Sequence, residues 1–308
     1  MDRLIRVCAA AVLVASGAVG CTRADPPPVG APAPVPGSVP APSPDPGPVV
    51  PASSAPVSAR PTASTGTASR RPPKRPVRWT PKPGTTWQWQ LTTPVDQSVD
   101  AAVYDIDGFD NSAAVVAQLH RRGRKVVCYI EVGAAESFRS DYHLWPRDLL
   151  GRSNGWPGER WVDIREPRRL APVLTRRFDM CRAKGFDAVE PDLMDHYQND
   201  TGFAITTRHQ LAFNRYVARL AHERGLSVAL KNDVEQAAEL VDDFDFTVNE
   251  ECAAHDECAA LRPFIAAGKA VLHAEYDVAP AEYCAQSRRL GLSSIHKNLS
   301  LDAARRPC

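Results

Sequence analysis

The chain has 308 residues, enough for one large or two medium domains, and its formal net charge of +1 is the sum of two unlike parts. Residues 1–86 carry 10 Lys and Arg against 3 Asp and Glu, whereas residues 87–308 carry 27 against 33. The second part therefore has a net charge of −6, which argues against a nucleic-acid-binding protein and suits a neutral or cationic ligand.

The amino terminus has the pattern of an export signal. Arg3 and Arg6 precede an apolar run over 7–19, and Cys21 follows at the end of a small-residue stretch. We expect residues 1–21 to be a signal peptide of the lipoprotein type, with Cys21 becoming the lipidated first residue and anchoring the protein in the membrane. Ala18 stands where such sites usually carry Leu, so plain secretion is the alternative. The apolar run is shorter than the roughly 20 residues of a membrane span.

A proline-rich segment follows the export signal. Residues 22–83 contain 19 of the 28 prolines, with Ala, Ser and Thr between them and a basic run at the end. Such a composition cannot bury enough apolar surface to offset its ordering entropy. The sequence thus predicts an extended tether over 22–83 and a folded domain over 84–308.

In the folded part, a helix-like stretch repeatedly ends in Gly, and a short β-branched run follows. This pattern occurs at Gly123, Gly185, Gly225, Gly268 and Gly291, each where a helix needs a left-handed residue after its last turn. Units of this kind indicate parallel β/α construction. The predicted strands are 87–91, 102–106, 125–131, 186–189, 227–230, 244–248, 270–274 and 293–296.

Eight strands in about 222 residues predict a (β/α)₈ TIM-like barrel. The link between the first two strands is too short for a helix, so we expect irregularity there. A strand-like piece at 161–164 is assigned to a long excursion over 133–160. Helices are predicted from Ser112 or Asn111 to Arg122, from Pro167 to about Lys184, and over 207–224. An open doubly wound sheet is the alternative fold, but the sequence has no Gly-rich dinucleotide turn to support it.

Six cysteines remain once Cys8 and Cys21 are set aside, and an even number in an exported chain indicates disulfides. Cys252 with Cys258 would close a short loop, and Cys284 with Cys308 would fix the carboxyl-terminal tail. Cys128 and Cys181 would then be left to pair, among fifteen possible connectivities.

Ionisable side chains stand at the carboxyl ends of the predicted strands, where a barrel collects its catalytic groups. Crowded carboxylates divide into a protonated acid and an ionised partner, as cleavage of glycosidic bonds requires. We expect these groups at one mouth: Asp105, Asp107, Asp110, Glu131, Glu190, Asp192, Lys231, Asp233, Glu250, Glu251, His273, Glu275 and His296.

Aromatic residues in or beside the same strand ends could stack on sugar rings, and they are Trp87, Trp89, Tyr129, Tyr197 and Tyr276. A metal-dependent hydrolase is a weaker alternative, because Asp105 and Asp107 lie two apart on one strand face but no HxH or HExxH is present. A serine hydrolase is not supported either, because the sequence has no GxSxG motif to form the nucleophile elbow. A non-catalytic, surface-tethered carbohydrate-binding barrel is the alternative from another class.

Six segments together resemble glycoside hydrolase family 114, the endo-α-1,4-polygalactosaminidases. They are TWQWQL (86–91), VYDIDGFD (103–110), VCYIEVGAAESFR (127–139), GFDAVEPDLMDHY (185–197), ALKND (229–233) and VNEECAAHDEC (248–258). The resemblance implies a TIM-like barrel that hydrolyses α-1,4-linked galactosamine polymers, endo-acting and with retention, needing no cofactor or metal.

Carried onto this sequence, the family's catalytic pair becomes Asp192, as nucleophile, and Glu250, as acid/base. Strand alternation puts Glu250 and Glu251 on opposite faces, and the resemblance favours Glu250. Asp195 is expected to cap a helix or contact the rim. The partner is a cationic amino-sugar polymer and the protein is expected to act as a monomer. The predicted substrate-binding residues are Trp89, Asp105, Asp107, Tyr129, Glu190, Tyr197, Lys231, Asp233, Glu251, Glu275 and Tyr276.

Overall fold

A computed structural model describes residues 78–308 of the chain. The predicted signal peptide, Cys21 and nearly all of the predicted tether lie outside these residues. In the described part of the chain, nine strands form one curled sheet in the order β1-β2-β3-β7-β8-β9-β10-β11-β12, of which the first eight run parallel and the last, β12 (Arg306–Pro307), runs antiparallel. The prediction of a TIM-like barrel is confirmed. The parallel strands are β1 (Trp87–Gln90), β2 (Val103–Asp107), β3 (Lys125–Glu131), β7 (Ala188–Asp192), β8 (Ser227–Lys231), β9 (Phe246–Glu250), β10 (Val271–Glu275) and β11 (Ser293–His296).

Several strands extend further toward their carboxyl ends than the sequence predicts. The strand predicted over 186–189 is β7, which runs to Asp192, and the one predicted over 244–248 is β9, which runs to Glu250. Charged residues at these positions read as loop in the sequence, but the inter-strand ladder continues through them, with Glu131 opposite Asp192. The ionisable groups therefore sit on rigid strands.

Within residues 78–308, six α-helices cover the outside of the sheet, and their sequence signals are local. Ser112 accepts a hydrogen bond from the Val115 amide and begins α1. Gly185 ends α2 at a φ of 89°, a left-handed conformation that favours glycine. The helices are α1 (Ala113–Arg121), α2 (Ala171–Lys184), α3 (Thr207–Glu223), α4 (Ala237–Leu240), α5 (Arg262–Ala266) and α6 (Pro280–Leu290). The link from β1 to β2 contains no helix, as expected.

Alternation along each strand separates an outer core from an inner one. On β7, Val189 packs among the helices, whereas Ala188 lies in the inner cluster with Trp87 and Phe246. Since side chains alternate with period two, Glu190 and Asp192 share the inward face of Ala188. The same rule brings Lys231 inward after Ala229 and Glu250 inward after Val248. The barrel interior is therefore apolar toward the amino ends of these strands and charged at their carboxyl ends.

A small antiparallel sheet, β4-β6-β5, forms the excursion after β3. Its strands are β4 (Ala134–Glu136), β5 (Leu150–Ser153) and β6 (Glu159–Val162), so the strand-like piece predicted at 161–164 belongs to it. Gly133 connects it to β3, and a Cβ there would lie 2.1 Å from the Leu193 carbonyl oxygen. Glycine therefore permits the small sheet to start directly beside the end of β7.

The carboxyl-terminal segment bridges the space between β1 and β11. The Trp87 indole donates to the Ser293 carbonyl at 2.7 Å, and the Leu91 amide donates to the Leu301 carbonyl at 2.9 Å. The final strand, β12 (Arg306–Pro307), pairs with β11.

The folded unit begins before the predicted boundary at residue 84. Trp79 packs against Phe246, with ring centroids 6.0 Å apart, and the Pro81 carbonyl accepts from the Ala270 amide. The last residues assigned to the tether thus contact the amino-terminal face of the barrel.

Three disulfides join Cys128 to Cys181, Cys252 to Cys258 and Cys284 to Cys308. The prediction of disulfides is confirmed, and three of them in one domain indicate a compartment outside the cytoplasm. Within residues 78–308, no helix is both long and apolar enough to cross a membrane.

Candidate active site

Three neighbouring strands end in the same unusual way. Leu193, Asn232 and Glu251 all have positive φ, at 56°, 49° and 60°, and none is glycine. Each follows the last residue of a strand, at β7, β8 and β9 respectively. A non-glycine residue in this region costs on the order of 1–3 kcal/mol, and such strain concentrates at functional sites. The preceding residues, Asp192, Lys231 and Glu250, are therefore the first candidates for chemistry.

Lys231 lies at the centre of this group and is almost wholly buried. Its ammonium nitrogen lies 2.7 Å from Asp192 Oδ1, 3.2 Å from Glu250 Oε2 and 3.1 Å from Glu190 Oε1. The Trp89 ring lies beneath it, 4.9 Å from the nitrogen to the ring centroid. Burial alone would lower the pKa of Lys231, but the surrounding carboxylates raise it well above its usual value. Lys231 is thus a fixed cation.

Asp192 is held as an anion. Tyr129 Oη donates to its Oδ2 at 2.6 Å, and its Oδ1 accepts from Lys231 and from the Leu193 amide at 2.8 Å. Burial acts to raise the pKa of Asp192, yet the ammonium, hydroxyl and amide contacts outweigh it and bring the pKa below its ordinary value. An ionised, hydrogen-bonded carboxylate is suited to act as a nucleophile or to stabilise a cation.

Glu250 faces Asp192 across Lys231. Its Oε1 accepts from Tyr276 Oη at 2.5 Å, and Asn232 both donates to its side chain and accepts from its backbone amide. Glu250 lies on the inward face of β9, whereas Glu251 is in the left-handed turn after the strand. Of the two neighbouring glutamates, Glu250 is the one that joins the group.

Three expected substrate contacts lie beneath this surface. Asp105 and Glu190 are both fully buried, with 0% exposure, and Trp89 is buried in the inner core. Burial raises the pKa of Asp105 well above its usual value and that of Glu190 to about 7. These residues were expected to touch substrate, but they are buried beneath the site and can affect it only through Lys231.

A second acidic group lies beside the first, after β8. Asp233 accepts from Tyr197 Oη at 3.1 Å and from the Asn214 amide at 2.7 Å, and burial together with Asp195 raises its pKa to about 8. The pKa of Asp195 is raised to about 7 by burial and by the Asp192 charge. Asp195 stands at the N-cap position of the 3₁₀ turn His196–Gln198, but its side chain makes no capping hydrogen bond there and lies in the field of Asp192 and Glu250.

The remaining predicted contacts are engaged elsewhere. Asp107 accepts from Arg139 at 2.5 Å and from the Phe109 amide at 2.8 Å, so it organises the loop after β2. Glu275 is fully buried and accepts from His273 and from the Ala253 amide, which turns it away from the inner face of the barrel. Strand alternation explains this placement, because Glu275 follows the inward Ala274.

Other residues near the site escaped the sequence interpretation. Asn232 has no local sequence signal beyond its place after Lys231. Phe138, in the turn after β4, and Trp156, on the hairpin between β5 and β6, are 60% and 50% exposed. Nothing in the sequence distinguishes exposed aromatic residues from core ones, but a position on a long excursion beside a strand end is a usable hint.

One group of metal-ligand residues occurs among residues 78–308, formed by Cys252, Cys258 and His273. The two cysteines are bonded to each other, so their sulfurs are not available as thiolates.

The arrangement brings two carboxylates to one cation. Because Lys231 contacts Asp192 Oδ1 at 2.7 Å and Glu250 Oε2 at 3.2 Å, these two oxygens are at most about 5.9 Å apart. Tyr129 and Tyr276 each donate to one of the carboxylates, and the hydroxyl pKa of both is raised well above its usual value, by burial first and then by the neighbouring carboxylates. Both tyrosines therefore remain neutral donors across the neutral pH range.

Comparisons with known proteins agree with this geometry. The sequence profile of Glycoside-hydrolase family GH114 matches residues 68–308. The crystal structure of Aspergillus fumigatus Ega3 in complex with galactosamine superposes with a TM-score of 0.70 at 35% sequence identity, covering 75% of this chain and 97% of the Ega3 chain.

Two further relatives are more distant or cover less of the chain. The glycoside hydrolase domain of PelA from Pseudomonas aeruginosa superposes with a TM-score of 0.56 at 15% identity, over 73% of this chain and 98% of that one, which is a likeness of fold alone. An uncharacterized protein of Deinococcus radiodurans is 32% identical over 181 residues. That match covers 56% of this chain and 58% of the Deinococcus protein, less than two thirds of its length.

Proposed function

This chain belongs to glycoside-hydrolase family GH114, and from that membership and the geometry of its carboxylates we propose that it hydrolyses an α-1,4-linked, galactosamine-containing polysaccharide. Asp192 is the nucleophile and Glu250 the acid/base. The observation that carries the proposal is the placement of both carboxylates on one buried ammonium, that of Lys231.

The separation of the carboxylates supports retention of anomeric configuration. Retaining pairs lie about 5–5.5 Å apart, whereas inverting pairs lie about 6.5–9.5 Å apart to admit a water molecule. The limit of about 5.9 Å between Asp192 Oδ1 and Glu250 Oε2 is nearer to the retaining separation than to most of the inverting range, and it supports a retaining mechanism. In the first step Asp192 attacks the anomeric carbon while Glu250 protonates the leaving oxygen, and in the second Glu250 removes a proton from the water that releases the sugar.

The environments of the two carboxylates suit these different roles. Asp192 has the depressed pKa of an ionised nucleophile, with its charge held by Lys231 and Tyr129. Glu250 is about one quarter exposed and opens toward solvent, where a water molecule can reach it for the second step. Tyr276 orients its Oε1.

Two observations support an amino-sugar substrate. Ega3, 35% identical over nearly its whole length, was crystallised with galactosamine. In the present chain, Asp195 places a further carboxyl group in the field of the reacting pair, where it can accept a hydrogen bond from an amine. We propose endo cleavage of the polymer by the protein acting as a monomer.

We also propose that the enzyme is anchored on the outer face of the cell membrane through a lipid on Cys21, with residues 22–83 as its tether. The three disulfides support export, and the sequence pattern over 1–21 supports lipidation. Replacement of Cys21 by Ser should move the protein from the membrane fraction to the medium. Continued membrane association of the variant would contradict the anchor without affecting the proposed activity.

The decisive experiment is release of reducing ends from a partly deacetylated α-1,4-galactosamine polymer. We expect turnover by the wild-type protein, and a fall in kcat by a factor of roughly 10⁴ or more for Asp192→Asn. Asp200→Asn is the control, since Asp200 is exposed on the same loop and pairs with Arg152. NMR of the first-formed anomer reports retention. Binding without turnover would instead support a carbohydrate-binding barrel.

A further inference from the structure

If all the buried carboxyl groups at the site were ionised, their negative charges would outnumber the positive charges beside them. Asp105, Glu190, Asp192 and Glu250 surround a single ammonium, that of Lys231, which pairs with the last three of them. Asp105 has no ion pair among residues 78–308, and no donor in this part of the chain contacts either of its oxygens. An isolated buried carboxylate without a donor would be very unfavourable, which indicates that Asp105 is not an anion.

The Asp105 and Glu190 carboxyl groups contact each other directly, and both are fully buried. Two carboxyl groups in such contact cannot both ionise. Lys231 lies 3.1 Å from Glu190 Oε1 and so favours the anion on Glu190, whereas Asp105 has only Glu190 to bind. The proton between them therefore resides on Asp105, which donates to Glu190.

We propose that Asp105 and Glu190 hold one buried proton as a donor and acceptor pair, and that this pair positions Lys231 against the nucleophile Asp192. The ionised Glu190 draws the ammonium to the inner face of β7, two residues before Asp192. Asp105 is then a positioning residue that acts through Glu190 and Lys231 and never touches substrate. The proposal deepens the proposed hydrolase function and rests on it for its activity measurement alone.

The groups that face this pair come from every adjacent strand. The neutral Trp89 ring on β1 lies under Lys231, and on β2 itself Asp107 turns to Arg139. Of the remaining neighbours, Asp192 and Lys231 carry a fixed charge, Tyr129 and Tyr276 carry a hydroxyl that remains protonated, and Glu250 is the proposed acid/base. They are Tyr129 from β3, Asp192 from β7, Lys231 from β8, Glu250 from β9 and Tyr276 after β10.

The same substitution at two positions of β2 tests the idea. In Asp105→Asn the amide replaces the proposed proton as the donor to Glu190, so the variant should fold as the wild type does. In Asp107→Asn an acceptor that binds Arg139 and two backbone amides is replaced by a side chain that also carries donors, so this control should be destabilised at every pH.

The pH dependence of stability distinguishes a proton shared by Asp105 and Glu190 from a site that merely tolerates Asn at position 105. A raised folded-state pKa contributes stability that is complete below the unfolded value of about 4 and is lost as pH rises toward the folded value. The wild type therefore loses this contribution progressively as pH rises above about 4, whereas Asp105→Asn has no such proton to lose, so the measurement covers about pH 5 to about pH 9. The Tm of Asp105→Asn minus that of the wild type should rise by roughly 2–4 °C or more over this range.

Activity provides the second readout. Asp105→Asn should retain kcat within about threefold of wild type, whereas Asp105→Leu, which cannot donate, should lose at least about tenfold, the cost of one charge-assisted hydrogen bond. A constant Tm difference across pH, or destabilisation of Asp105→Asn at pH 5, would overturn the proposal. If no polymer is cleaved even by the wild type, the hydrolase function fails, while the stability measurement still decides whether the proton exists.

Discussion

Replacement of Lys231 by Met removes the ammonium that lies 2.7 Å from Asp192 while keeping a side chain of similar length. An opposite charge at this distance lowers a carboxyl pKa by roughly 1–3 units, or about 1.4–4 kcal/mol of preference for the anion. Without Lys231, the pKa of Asp192 should therefore rise. Because catalysis requires ionised Asp192, the acid limb of kcat/KM should move to higher pH by roughly 1–3 units.

The assay is kcat/KM against pH for release of reducing ends from the galactosamine polymer. Lys231→Arg retains the charge, so its acid limb should remain near that of the wild type even if kcat falls. Lys125→Met is the matched control, since Lys125 begins β3 and pairs with Asp187, just before β7, at the end of the barrel opposite the site. An acid limb for Lys231→Met that lies within about half a unit of wild type would refute the assignment of Lys231 as the group that keeps Asp192 ionised.

Three other predictions concern the surrounding structure. Tyr129→Phe removes the 2.6 Å donor to Asp192 and should lower kcat by roughly 10- to 100-fold with an unchanged Tm, and an unaffected kcat would exclude the contact from catalysis. Arg177→Met leaves the buried Asp141 without its cation and Glu136 with Arg139 alone, and it should cost about 3–5 kcal/mol in denaturant unfolding, whereas the exposed neighbour Arg176→Met should cost almost nothing. Trp156→Ala should raise KM for long polymers by at most roughly tenfold and leave kcat for short oligomers unchanged, because its ring is exposed on the hairpin between β5 and β6 and could stack on a sugar of an extended chain. Equal effects on both substrates would contradict such a contact.

The fold could be predicted from the sequence because its signals are local. The glycine after each helix, the β-branched run that follows, and the Ser112 cap each depend on residues within one or two turns. The even number of cysteines indicated disulfides because a count of residues needs no tertiary structure. The local signals misplaced the carboxyl ends of several strands, because charged residues such as Asp192 and Glu250 are typical of loops but here continue the inter-strand ladder.

The sequence by itself determined that carboxylates gather at the strand ends, and period-two alternation determined that only one of Glu250 and Glu251 can point inward. The tertiary structure decided which of them it is, and it sorted the acidic residues by depth. Asp105 and Glu190 lie under Lys231, Glu275 faces His273, and Asp192 remains at the surface of the group. The physical reason is that burial and pairing depend on the curvature and register of strands far apart in sequence, so a single ammonium from β8 selects its partners from β7 and β9 only once the barrel has formed.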